Sequence, residues 1–336
     1  MREFLRCKSV GGGMMQLLHD YCMEKNIVSP VQKNYKIDER ISFEKWLKTL
    51  QAIYIRQPIA GLGIEIGRYI QPSHVGVLAY LAHSCENLAQ FFQLSSRYIN
   101  VWYNFTPIQV TKDDQSLWIE WEQPPYLHTG LYVYETAIAQ ELLVSILWHR
   151  LEQLIGQGQV RFNSLELAIA KPTDLRSYHR FKCPIKFETE KTRVALPLAL
   201  LSIPLDKPDA VLFRILHQQA DLSLEALPKQ DNFVAVVNQH ILDAIPKQRA
   251  YIDSVAEQMH LTSRQLNAQL KNYNLSFQQC LNQIREQLAK HYLGDPEFSI
   301  LDISLMLSYT EPASFNRAFK SWTGMNPSQW RCQHAS

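Results

Sequence analysis

The sequence predicts an α+β N-terminal domain followed by an all-α domain, and three observations carry that reading. In the first two-thirds of the 336 residues, helical and strand-like periodicities occupy separate blocks rather than alternating. The strand signal then ends at a short polar stretch, Pro228-Lys229-Gln230-Asp231-Asn232. Beyond it, a pattern of apolar helix, turn and amphipathic helix occurs twice, once on each side of a longer helix. The expected organisation is a first domain over 1–228, a linker at 229–232 and a second domain over 233–336.

Residues 14 to about 100 are mostly helical in pattern. Ile41, Phe43, Trp46, Leu47 and Leu50 recur at helical spacing, and so do Leu78, Leu81, Ala82, Cys85 and Leu88. Ser42 suits the start of the first of these helices, and Cys85 falls on an apolar stripe as a packing residue. The period changes over 101–123. Trp118, Glu120 and Glu122 alternate with Ile119 and Trp121, which predicts a strand, with a hairpin turn at Asp113-Asp114-Gln115-Ser116 before it. Trp102, Tyr103, Phe105, Trp118, Trp121 and Tyr126 either line a pocket or form an aromatic core.

A long helix is expected from Tyr132 to Ile155, stopped by Gly156 and Gly158. Its Glu141, Leu142, Leu143, Ser145, Ile146, Trp148 and His149 suit a dimer seam or a purely internal helix. Residues 160–206 return to strand-like alternation, at Leu165, Leu167 and Ile169, broken by prolines.

Composition excludes several classes. Hydrophobic residues at 46% and charged residues at 20% describe a chain that folds around a core. A balance of 34 basic against 32 acidic residues announces neither nucleic acid nor a membrane surface. The six cysteines form no C-x-x-C pair, which argues against a zinc ribbon and fits a reducing cytosol. No apolar run approaches membrane-spanning length, and Gly11-Gly12-Gly13 interrupts any secretory signal. H-E-x-x-H, G-x-S-x-G and P-loop motifs are missing, and Gly61, Gly63 and Gly67 do not spell a dinucleotide fingerprint. Ser42-Phe43-Glu44-Lys45 has the S-x-x-K spacing, but without companion motifs it is a helix start. The expectation is a cytoplasmic non-enzyme without cofactor, metal or membrane partner.

The second domain carries the functional signal. Val255, Ala256, Met259 and Leu261 form an apolar face; Thr262 and Gln265 then make a capping-box pattern that opens a new helix. Leu266 and Leu270 face inward there, and Ser263, Arg264, Asn267, Ala268 and Lys271 face outward. The pattern recurs with Ile300, Ile303, Leu305, Met306 and Leu307. A turn with Thr310 as expected N-cap and Pro312 in the first helical turn follows. Phe315, Ala318 and Phe319 face the core; Ala313, Ser314, Arg317 and Lys320 face out. The two helix-turn-helix units span about 252–272 and 300–321. Phe277 to Leu293 forms the connector, and its 17 residues measure about 25 Å as a helix.

Here the chain resembles a known family, the AraC-type transcription regulators. The resemblance is carried by Ser299 to Tyr309 and by Glu311 to Arg331, with a Phe315-x-Arg317-x-Phe319-Lys320 core and a Gly324-x-x-Pro327 ending. Residues 61–67 (Gly-Leu-Gly-Ile-Glu-Ile-Gly), Ser96-Arg97-Tyr98 and Cys183 to Phe187 resemble the subgroup with an arabinose-binding-type N-terminal domain. Two departures stand out. Ala268 and Gln269 occupy positions where many relatives carry Arg, and Ser308-Tyr309 replaces the usual Gly-Phe.

The resemblance implies an effector-binding or dimerisation domain followed by a DNA-binding domain. Its partners would be a double-stranded promoter element, a small-molecule effector, RNA polymerase and a second copy of the chain. Expected DNA contacts are Arg264, Asn267, Lys271, Ala313, Ser314, Arg317 and Lys320, the lysines toward phosphate; the alternative for each is a solvated helix face. From 231 to 336, nine basic residues meet nine acidic ones, so few phosphate contacts are available. Competing readings are a constitutive DNA-binding regulator that uses its first domain only to dimerise, and an enzyme or small-molecule binder with a helical appendage.

Overall fold

The computed structural model describes residues 8–32, 34–124, 126–127, 130–205, 209–227, 232–273 and 275–334. The chain divides into two compact units, the second beginning near residue 230. The predicted linker at 229–231 lies outside the described residues, and Asn232 already opens a helix.

The first unit is α+β. Strand β1 (Ser9–Gly11) runs into α1 (Gly12–Glu24), and β2 (Arg40–Ser42) into α2 (Phe43–Arg56). Ser42 caps α2, accepting the Lys45 N–H at 3.4 Å, as its position suggests. Three short helices follow: α3 (Leu62–Gly67), α4 (Pro72–Val75) and α5 (Val77–His83). The longer α6 (Leu88–Trp102) is capped by Asn87. It continues two residues past the expected change of period at 101, because Trp102 buries its ring before β3 (Tyr103–Asn104) turns extended. β1 pairs antiparallel with both β2 and β3, placing Val10 beside Ile41 and Tyr103.

A second sheet has the order β4-β5-β8-β6-β7. Its strands are β4 (Gln109–Lys112), β5 (Ser116–Glu122), β6 (Ser164–Leu167), β7 (Ile185–Phe187) and β8 (Lys191–Pro197). All pairings are antiparallel except β6 with β7. The β4–β5 hairpin turns where expected: the Asp113 carboxylate accepts the N–H groups of Gln115 and Ser116 at 2.8 and 2.7 Å.

Helix α7 (Val133–Ile155) runs through this unit and ends at Gly156, whose φ of +96° suits glycine. Glu141, Leu142, Leu143, Ser145, Ile146 and Trp148 are all buried within the monomer. Of the two readings these residues suit, a dimer seam or an internal helix, their burial supports the internal one: α7 is buried along most of its length. Helix α3 lies directly on it. A Cβ on Gly63 would fall 2.1 Å from the Ile138 carbonyl oxygen, and one on Gly67 would fall 2.4 Å from the Ser145 side chain. At this crossing the Gly63 N–H donates to Glu141 Oε2 at 3.0 Å, and Ser145 Oγ donates to the Ile64 carbonyl at 2.8 Å. The Tyr178 hydroxyl donates to the other Glu141 oxygen.

Helix α8 (Ala210–Glu225) closes the first unit. Its inner face, with Ala220, joins Leu78, Leu81 and Tyr98 in one apolar cluster. A polar clasp fastens it to α6: Tyr98 donates to Asp221 Oδ1 at 2.6 Å, and Arg97 pairs with the same carboxylate at 2.8 Å.

The second unit is wholly helical among its described residues. It comprises α9 (Asn232–Ala244), α10 (Ile252–Gln258), α11 (Ser263–Lys271), α12 (Phe277–Leu293), α13 (Ile300–Met306), α14 (Pro312–Thr323) and α15 (Pro327–His334). The connector α12 has the bounds that the sequence predicts, set by a Ser276–Gln279 capping box and by Gly294. The turns from α10 to α11 and from α13 to α14 each pass through a residue with positive φ, His260 (+55°) and Ser308 (+59°). Among the described residues, no helix is long and apolar enough to cross a membrane.

Three measurements test this account. Gly63→Ala should lower unfolding stability by about 3 kcal/mol or more, because the new methyl meets a backbone carbonyl that cannot swing away; urea denaturation reads it. Burial lifts the Glu141 pKa from its ordinary value to about 7, against the two donors that favour the carboxylate. Since the folded-state value is the higher one, stability should fall as pH rises from about 4.5 to about 7. Glu141→Gln should flatten that part of the melting-temperature profile. His260→Gly should stabilise the second unit by about 1 kcal/mol by relieving a left-handed backbone, seen as a higher denaturation midpoint at unchanged slope.

Candidate nucleic-acid interface

Two outward helix faces make up the candidate interface. In the first helix-turn-helix unit, Thr262 caps α11. Its hydroxyl accepts the Gln265 N–H at 3.2 Å, and Gln265 returns an acceptor to the Thr262 N–H at 2.9 Å. Leu266 and Leu270 are fully buried and fix the rotation of the helix. Arg264, Asn267, Ala268 and Lys271 are then exposed along one side. Ser263, expected to face outward, is half-buried and donates to the Asp253 carboxylate, so it braces α10 against α11 instead.

In the second unit, a Ser299–Asp302 capping box starts α13, where Ile303 is buried and Leu305 is 46% exposed. Leu305 therefore leaves the apolar face assigned to it. The N-cap of α14 is Glu311 rather than Thr310, because this turn is one residue longer than the first; Pro312 takes the first helical position. Phe315 and Phe319 are buried, and Ala318 is only half-buried. Ala313, Asn316, Arg317 and Lys320 are exposed on one side. Ser314 is half-buried, and its hydroxyl accepts from Arg317 Nη2 at 3.2 Å.

The two faces share one register. Leu266 and Leu270 occupy the inward places that Phe315 and Phe319 occupy in α14. By the same offset Arg264, Asn267, Ala268 and Lys271 correspond to Ala313, Asn316, Arg317 and Lys320. Asn316 was missed by sequence reasoning; its spacing of three from Ala313 and four from Lys320 was the available signal. Arg264, Lys271, Arg317 and Lys320 make no ion pair among the described residues, so their charges are uncommitted.

The connector carries the shape of the second turn. Arg285 on α12 is buried and donates to the Ser308 carbonyl at 2.9 Å, and its guanidinium lies 4.3 Å over the Tyr309 ring. Burial lowers its pKa, with Tyr309 opposing the shift. Ser308 donates its hydroxyl to the Ile245 carbonyl on the segment after α9, at 2.6 Å. A serine thus holds a left-handed position through a side-chain bond that glycine lacks.

Among the described residues no group of three or more His, Cys, Asp or Glu side chains is arranged to hold a metal. Of the aromatic stretch in the first unit, Tyr103 and Phe105 pack with Phe43 in the core. Trp118 lies under Arg193 and bonds Asp113. Trp102 and Trp121 line a cavity.

Two family models match separate stretches of the chain. Residues 35–205 match the arabinose-binding domain of AraC transcription regulators, N-terminal, and residues 255–333 match a helix-turn-helix domain. The chain is 26% identical to the ornithine utilization regulator of Pseudomonas aeruginosa, over 87% of this chain and 84% of that protein. It is 22% identical to the transcriptional regulator VirS of Mycobacterium tuberculosis, over 88% and 85%. The crystal structure of the regulator CdpR from Pseudomonas aeruginosa aligns over 95% of this chain and 98% of that one, at 17% identity and a TM-score of 0.46. The chain belongs to the AraC-type transcription regulators, with an N-terminal domain of the arabinose-binding type.

Proposed function

We propose that this regulator reads a double-stranded promoter element with α11 and α14 in successive major grooves. Arg264, Asn267, Ala313, Ser314 and Arg317 meet base edges, Ser314 in part by steadying Arg317, and Lys271 and Lys320 meet phosphates. Asn316 joins this set. The observation that carries the reading is the shared register of two uncommitted polar faces on helices tied to one connector. Ala268 stands where α14 has Arg317, so the second unit supplies the stronger base contact.

The first unit binds a small-molecule effector that shifts the protein between DNA-binding states, which requires the ligand to favour one state. The regulator acts in the cytoplasm, with RNA polymerase as its downstream partner. A homodimer multiplies the few phosphate contacts of one chain, and its seam lies elsewhere than on α7. It is not an enzyme: its residues recognise rather than react.

Genome-wide footprinting supplies the target sequence, and gel-shift titration on that fragment tests the contacts. Arg317→Ala should weaken binding by about 1–3 kcal/mol and relax preference at one base position. Equal affinity of mutant and parent would remove Arg317 from the readout.

A further inference from the structure

The first unit holds a cavity of about 120 Å³ between α6, the β4–β5 hairpin and α7. Its walls include Phe92, Ile99, Trp102, Trp121, Ile146 and Leu147. A more open groove of about 300 Å³ shares Phe92, Ser96 and Val110 with it, so the hollow is elongated.

Beside the exposed Ser96, three side chains bring buried polar atoms into these apolar walls. Ser95 Oγ and the Trp121 indole nitrogen are buried without a hydrogen-bond partner. Arg150 is 6% exposed. Its guanidinium donates to the Ala79 carbonyl at 3.1 Å and to the Gln153 side chain, and it approaches His83 at 3.5 Å. It forms no ion pair with a carboxylate among the described residues, and burial draws its pKa down to about 10. The cavity lining contains no Asp or Glu.

A buried cation without a counter-ion and two orphaned polar groups are each costly to keep. All three can donate a hydrogen bond, and none of the lining side chains offers an anion in return. We propose that this cavity binds a small apolar carboxylate. Its hydrocarbon body packs among Phe92, Trp102 and Trp121, and its carboxylate meets Arg150, with Ser95 and Trp121 as further donors. The proposal deepens the reading of the first unit as effector-binding and rests on it. A sugar finds too few polar partners here, and a cationic amino acid finds no carboxylate for its ammonium group.

The test is calorimetric titration of the full chain with octanoate and with benzoate, alongside octanol and L-arabinose, with Trp emission as a second readout from Trp102 and Trp121. The proposal expects at least one of the two carboxylates to bind, octanoate at least tenfold tighter than octanol if it is the binder, and no binding of arabinose. Ile99→Trp, which fills the hollow without touching the bonds of Arg150, should abolish that binding. Arg150→Met should weaken it at least tenfold; should that variant unfold, Ile99→Trp and the comparison of ligands on the unaltered protein still decide. Binding of neither carboxylate, equal affinity for octanoate and octanol, or carboxylate binding that survives Ile99→Trp overturns the proposal. Gel shift without added ligand tests promoter recognition separately, so failure of the cavity and failure of the DNA reading give different results.

Discussion

Helix α7 can be buried along most of its length only because α3 approaches it without side chains at Gly63 and Gly67. That close approach brings two backbones together and leaves their polar groups short of water. Glu141 and Ser145 answer it from α7 by bonding the Gly63 N–H and the Ile64 carbonyl. A carboxylate in that place is costly to ionise, yet it satisfies a buried N–H and the Tyr178 hydroxyl together. The sheet of β4 to β8 and the small helices are arranged around this helix, so the geometry of the first unit depends on two missing methyl groups.

The second unit rests on repetition rather than on one crossing. Each helix-turn-helix turns through a left-handed residue and fixes its second helix by two buried apolar side chains one turn apart. The repeat is imperfect at informative places. The second turn is longer by one residue, holds a strained serine through the Ile245 carbonyl, and is braced from α12 by Arg285. More structural bonds converge on the half that carries Arg317 in the central outward position. The half with Ala268 there is secured chiefly by its capping box and by the bond from Ser263 to Asp253.

Local chemistry was legible in the sequence, and long-range consequences were not. The bounds of α12, the capping box at Thr262 and the Asp113 turn could be read because their causes lie within four residues of each other. The helix Tyr132 to Ile155 was also plain, but whether it faced a partner or its own core depended on α3, some eighty residues away. The glycines at 61–67 marked a family resemblance and a failed nucleotide motif, but their packing role showed only with their partner in place. The three strands of the first small sheet were too short for periodicity to register. Among the site residues, register alone placed six of the seven candidates on the exposed faces. Ser314 departs because its hydroxyl is already engaged by Arg317. The cavity wall is assembled from distant segments, and no motif could have announced it.

Helix α6 has two tenants. Ser95, Ile99 and Trp102 border the hollow, while Arg97 and Tyr98, on the same turns, grip Asp221 of α8. A close-packed interior transmits strain, so the two flanks of one helix are not independent. Helix α8 thus shares a neighbour with the hollow, held to α6 by the Asp221 carboxylate and by the apolar packing of Ala220 with Tyr98.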